Sequence, residues 1–322
     1  MGLINRRDFL KVSATGGLVL ASNLSPVPAA AREPVPRSAE AMGILYDATA
    51  CIGCKACMTA CKEYNHLPPD HYHPNNVWDD PVDLSSKTYN IVKLYTNGTG
   101  VAKDQAVNGY SYIRRLCMHC VDPSCVSACP VSALTKDPHT GIVKYNKNNC
   151  IGCRYCQIAC PYNVPKFEWD KAFPQIQKCQ LCAQRIPQGG YAACCEFCPT
   201  GASVYGNVQD LMKEAKRRLA LTAGQMADYP LRRVDSPDKT QRKVTPYLNH
   251  IYGAQEGGGT QVLMLANVPF NKLGLPQLPP ESQASRSETL YHTLYKGMII
   301  PYVILGGLFF LIYKNTTGHD LP

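Results

Sequence analysis

An α+β fold, continued by an extended C-terminal arm and a single transmembrane helix, is what the sequence predicts from three observations. The 322 residues carry 17 cysteines, sixteen of which fall into four quartets. Glycine and proline number 24 and 25, which implies short elements joined by many turns rather than a long helical array. A run of seventeen uncharged residues, 297–313, lies between Lys296 and Lys314. With 45% apolar and 18% charged residues the chain can bury a core, which excludes collagen-like and disordered classes. Its length suggests about two domains.

Residues 1–31 read as an export signal: a basic start, a weakly apolar stretch Val12–Leu24 and a small-residue site at Ala29, Ala30 and Ala31. Arg6 and Arg7 followed by "DFLK" resemble the twin-arginine signal, an address read by a receptor. That route carries folded proteins, which suits a protein whose cofactors are built in the cytoplasm.

Cys51, Cys54, Cys57 and Cys61 have the spacing C-x2-C-x2-C-x3-C, and Cys150, Cys153, Cys156 and Cys160 repeat it before Pro161. This is the bacterial ferredoxin run for 4Fe-4S clusters, whose fourth cysteine ligates the partner cluster. Cys117, Cys120, Cys125 and Cys129 precede Pro130 with a longer middle gap. Cys179 and Cys182, an eleven-residue insertion, then Cys194 and Cys198 before Pro199 form the last set. A longer gap enlarges a loop without changing the ligand count. Cys194 is preferred to Cys195 because it keeps the closing C-x3-C, which leaves Cys195 as a small buried hydrophobe beside the cluster. Structural zinc would use paired C-x2-C knuckles, and disulfides between such close neighbours would close small strained loops. The formal charge of +9 counts every cysteine as neutral. Four clusters, each about −2 with its thiolates, offset most of it, so no nucleic-acid partner is implied; an aromatic-basic stripe is missing as well.

"CIGCKACMTACKEYN", "CMHCVDPSCVSACPVSAL", "GIVKYNKNNCIGCRYCQIACPYNVPKF" and "KCQLC…CCEFCPTGA" resemble the four-cluster ferredoxin-like electron-transfer subunits of membrane-bound oxidoreductases, over most of residues 42–225. Together with the export signal, "EGGGTQVLMLANVPF", "HTLYKGM" and the apolar C-terminal run, they look most like the hydrogenase-2 iron-sulfur subunits of the HybA type. The resemblance implies crossed pairing. Cys51, Cys54 and Cys57 would share a cluster with Cys198, and Cys179, Cys182 and Cys194 one with Cys61. Cys117, Cys120 and Cys125 would pair with Cys160, and Cys150, Cys153 and Cys156 with Cys129. It further implies two interleaved ferredoxin-like 4Fe-4S domains: residues 105–170 inserted into a first domain made of 42–104 and 171–225. One departure is Lys62, where ferredoxin runs place proline, and it puts the local helix in doubt.

Around the clusters, "GIVKYN" from Gly141 alternates as a short strand should. Val208, Leu211, Met212, Ala215 and Leu219 recur at helical spacing, with Lys213, Lys216, Arg217 and Arg218 on the opposite face, read as solvated. Residues 226–290 read as the extended arm, with one strand at Thr260–Ala266; Gly257, Gly258 and Gly259 lack a nucleotide-loop context. His66, His71 and His73 belong to a proline-rich surface loop, and His119, inside "CMHC", is expected to donate a hydrogen bond toward its cluster. The run 297–313 spans roughly 26 Å as a helix, near the ~30 Å hydrocarbon layer, with Tyr291, Tyr295 and Tyr313 placed for the interfaces.

The function so implied is non-catalytic: an electron-transfer subunit with four 4Fe-4S clusters, between hydrogenase small and large subunits and an integral membrane quinone-reactive subunit. It would sit on the periplasmic side of the cytoplasmic membrane, held by the C-terminal helix. The same role in a formate dehydrogenase or sulfur-compound reductase stays open. A catalytic iron-sulfur enzyme would need a three-cysteine cluster with an open iron or a catalytic motif, and the sequence has neither.

Overall fold

The computed structural model describes residues 35–285, with residues 288, 302, 304–313 and 316. The export signal expected over residues 1–31 lies outside them. Residues 34–285 form one compact unit, which holds every cysteine.

Its elements are short, as the glycine and proline content requires. In chain order they are β1 (Met42–Asp47), α1 (Ala56–Tyr64), β2 (Asn90–Thr96), β3 (Ala102–Lys103), β4 (Gly109–Leu116), α2 (Ser124–Ser127) and β5 (Leu134–Lys136). Next come β6 (Val143–Tyr145), α3 (Tyr155–Ala159), β7 (Lys166–Phe167), β8 (Ile176–Gln177), α4 (Ala193–Glu196) and β9 (Ser203–Asn207). The last are α5 (Val208–Leu219), β10 (Met226–Pro230), β11 (Lys239–Lys243) and β12 (Val262–Leu265).

β1 is the centre of a three-stranded sheet, antiparallel to β9 and parallel to β12, with Ile44 opposite Tyr205 and Val262. Ile44, Leu45, Val204, Val262 and Leu263 are fully buried, so both faces of this sheet are covered and its strands are continuously apolar. Behind each cysteine motif the same unit recurs. β5 pairs with β6 while α2 packs on α3, and β9 pairs with β1 while α1 packs on α4.

Two expectations need correction. Among the described residues no helix is long and apolar enough to cross a membrane. The described helical run within 297–313 is residues 304–313, which rises about 15 Å, half of a ~30 Å hydrocarbon layer; residues 297–301 and 303 lie outside the described ones. The stretch 226–290 is not an extended arm over its described part. It forms the β10–β11 hairpin and then returns to supply β12, whose four residues are all buried beside β1.

α5 carries a further difference. Val208, Leu211 and Ala215 are buried and Lys213, Lys216 and Arg217 exposed, as the periodicity requires, but Arg218 is wholly buried. Its guanidinium bonds Asp47 at 2.9 Å and Glu214 at 2.8 Å. His66, His71 and His73 are exposed in their loop.

Candidate metal centres

The first and third cysteine loops are delivered by matching local devices. Asp47 and Asn146 cap single 3-10 turns by accepting from the amides of Thr49 and Asn148, and those turns end at Cys51 and Cys150. Lys55 and Arg154 take left-handed backbone just before α1 and α3, as do Gly53 (φ 72°) and Gly152 (φ 70°). A Cβ on Gly53 would lie 2.4 Å from the Tyr112 ring, so the tight loop needs glycine twice over.

In these two loops the residue after the closing cysteine decides where the helix ends. α3 stops at Ala159 because Pro161 disfavours helical backbone at Cys160. Lys62 removes that block, so α1 runs on through Cys61 to Tyr64. The Lys62 ammonium is then buried against Asp70 at 2.8 Å and also donates to the carbonyls of Pro68 and Lys87.

The fold brings the cysteines together in four groups, each drawn from two motifs. Cys51 has Cys198 as a charge neighbour, and Cys57 has Cys51; Cys54 stands exposed on the same loop. Cys61 neighbours Cys179, Cys182 and Cys194. Cys120 neighbours Cys117, Cys125 and Cys160. Cys156 neighbours Cys129, Cys150 and Cys153.

All seventeen cysteines are free thiols. Burial, above all, pushes Cys57 and Cys156 up to about 12 and Cys160 and Cys182 up to about 11. A bound metal reverses this, because a coordinating thiol is deprotonated. Backbone amides already point at sulfur: Gly53 to Cys51 (3.5 Å), Ala133 to Cys129 (3.2 Å), Leu181 to Cys179 (3.3 Å) and Ser203 to Cys198 (3.4 Å). Such donors stabilise thiolate charge and tune iron-sulfur centres.

Among the described residues no three His, Cys, Asp or Glu side chains converge as a single metal ion would need. A tetrahedral zinc with 2.3 Å bonds would draw its sulfurs to within about 3.8 Å of one another. Four thiols to a group, drawn from two motifs and met by backbone amides, match the all-cysteine donor set of a four-iron cluster.

Cys194 and Cys195 behave differently. Cys194 is brought down to about 6, first by a hydrogen bond from Cys195 and then by the Arg114 guanidinium, whereas burial raises Cys195. Cys194 lies with Cys61, Cys179 and Cys182; Cys195 is fully buried and its thiol serves Cys194.

His119 is fully buried, with Nδ1 accepting from the Val143 amide at 3.1 Å and Nε2 lacking a partner. Burial, then Lys178 and Lys136, lowers its pKa, which keeps the ring neutral. The proton is therefore on Nε2, free to be donated.

Sequence reasoning missed three side chains. Arg114 is fully buried among cysteines, and the signal was an arginine at the inward position of the alternating Tyr112, Arg114, Leu116 face of β4. Asn90 holds the Cys57 carbonyl at 2.9 Å. Buried Lys178 donates to the carbonyls of Val143 and Cys179. Neither of these two carries a local signal.

Residues 109–208 match a family model described as a 4Fe-4S dicluster domain. Over 325 aligned residues the chain is 49% identical to the hydrogenase-2 operon protein HybA of Escherichia coli O157:H7, covering 98% of each. The nitrate-inducible formate dehydrogenase iron-sulfur subunit of Escherichia coli K12 is 31% identical over 265 residues, 81% of this chain and 79% of that one. The formate dehydrogenase iron-sulfur subunit of Haemophilus influenzae is 30% identical over 310 residues, 95% and 86% of the two.

Proposed function

The chain belongs to the HybA family of hydrogenase-2 iron-sulfur subunits, and on that premise we propose that it relays electrons through four 4Fe-4S clusters between a hydrogenase and an integral quinone-reactive subunit. The ligands are the sixteen cysteines of the four groups, Cys195 excluded. Bound clusters supply one-electron centres whose potentials are set by hydrogen bonds, charge and burial.

The observation that carries the reading is the order of the groups. Cys57 of the 51/54/57/198 group neighbours Cys194 of the 61/179/182/194 group. Cys179 of the latter neighbours Cys117, and Cys125 beside Cys117 neighbours Cys156. Each group thus has a thiol that acts electrostatically on a thiol of the next, and the series runs from the group of exposed Cys54 to that of Cys150 and Cys153. A relay needs this succession; an enzyme needs an open iron, and four thiols per group leave none.

Hydrogenase small and large subunits are favoured as partners because the hydrogenase-2 relative matches at 49% over both full lengths while the formate dehydrogenase subunits match at 30–31%. The twin-arginine sequence at Arg6 and Arg7 supports a position on the periplasmic side of the cytoplasmic membrane. The test is to purify the intact complex anaerobically and expose it to hydrogen or to formate. Hydrogen is expected to reduce this chain's clusters, seen as new EPR signals, and formate to leave them oxidised. Reduction by formate alone would move the chain to the other enzyme.

A further inference from the structure

Arg114 is an expensive residue to bury. It projects from β4 into the interior with no exposed surface. Nε donates to Asn90 Oδ1 at 2.6 Å and Nη1 to Ser203 Oγ at 2.8 Å, both neutral oxygens. Nη2 is buried and meets no acceptor of good geometry. Among the described residues no carboxylate pairs with it: Asp47, a buried acid at the end of β1, is taken by Arg218, Tyr247 and Thr49. A buried cation without a counter-ion is strongly destabilising.

The missing anion is sulfur. The side chains that act most on the guanidinium are the thiols of Cys194, Cys57 and Cys195, in that order of effect. Cys57 and Cys194 belong to different groups, so Arg114 stands where two groups meet. Its neutral partners tie it to the same place. Asn90 also holds the Cys57 carbonyl, and the Ser203 amide donates to Cys198 Sγ.

We propose that Arg114 is the shared counter-ion of the 51/54/57/198 and 61/179/182/194 groups, and that it raises the reduction potentials of the two clusters they hold. Reduction adds one negative charge to a cluster that is already about −2 with its thiolates. A fixed cation beside both favours the reduced form of each, and strongly, because the interior screens little. The proposal rests on the four-cluster reading above.

EPR-monitored redox titration of the complex tests it, with dithionite as the electron donor. Arg114→Gln should make two of the four centres at least tenfold harder to reduce, a shift of 59 mV for a one-electron couple, and leave the other two in place. Arg114→Lys, which keeps the charge and loses the fork, should restore more than half of the shift. If Arg114→Gln does not accumulate, Asn90→Asp sets a carboxylate at the oxygen that Nε already bonds and should lower the same two centres. Unchanged potentials in whichever variant loads, or an equal shift in all four centres, would overturn the proposal. Fewer than four centres in the wild-type complex would instead refute the reading beneath it.

Discussion

Cys194 and Cys195 are adjacent thiols in one short helix, α4, and only one of them lies with Cys61, Cys179 and Cys182. Replacing Cys194 with serine should therefore remove or convert one cluster, seen as a loss of iron, while serine at 195 should keep all the iron. The opposite result would move the ligand by one residue. The closing C-x3-C spacing pointed to the same residue because ligand geometry is written locally in a motif. The buried partners of Arg114 and Asp47 were not legible in that way, since Asn90, Ser203 and Arg218 lie far from them along the chain. The pair Asp47–Arg218 illustrates the difference in energy. Both side chains are fully buried, and removing one partner of such a pair costs roughly 3–5 kcal/mol. Arg218→Met should lower the thermal midpoint by on the order of 10 °C. Lys213→Ala breaks only the exposed pair with Asp210, worth at most about 0.5 kcal/mol, and should barely move it.

α1 and β12 show how a local pattern predicts an element but not its neighbours. The missing proline after Cys61 marked a departure, and α1 does run one turn beyond the point where α3 stops. That the extra turn buries Lys62 against Asp70 depends on a loop the pattern could not place. Lys62→Pro should therefore not act as a return to type. It would forfeit the ion pair and disrupt the helix, at a cost of roughly 3 kcal/mol or more, and a fall in thermal midpoint relative to Lys62→Met would show the backbone share. β12 was legible as a strand within Thr260–Ala266, but its pairing partner, β1, lies more than two hundred residues earlier. Apolar composition marks a buried strand and says nothing about which edge it joins. Hence the reading of 226–290 as an arm failed. A chain ending at Ser285 keeps the whole compact unit and should hold its full iron. One ending at Gly259 uncovers an edge of β1 and should accumulate poorly with little iron. Equal iron in both would mean that β12 adds nothing to cluster assembly.

Charge and compartment belong to the whole molecule. The formal +9 is the charge of a chain without cofactors; were four clusters of about −2 each bound and the basic segment 1–31 removed, as proposed, the cargo would be close to neutral. On the proposed periplasmic reading, folding around the clusters has to precede export, because an unfolded chain with seventeen thiols would form disulfides first in an oxidising compartment. That reading calls for a signal that is read on a folded protein. Arg6 and Arg7 would satisfy that requirement if a receptor reads the pair, and lysine keeps their charge but lacks the planar, forked guanidinium. Lys at both positions should leave the precursor in the cytoplasm with about sixteen iron atoms, four for each cluster, while the unaltered chain becomes accessible to protease from the periplasm. Iron content and protease access are separate readouts. Cytoplasmic precursor without iron would mean that the substitutions harm assembly rather than export. Undiminished protease access with full iron would show that the pair is not what the export machinery reads, leaving a signal on a partner subunit to carry this chain across.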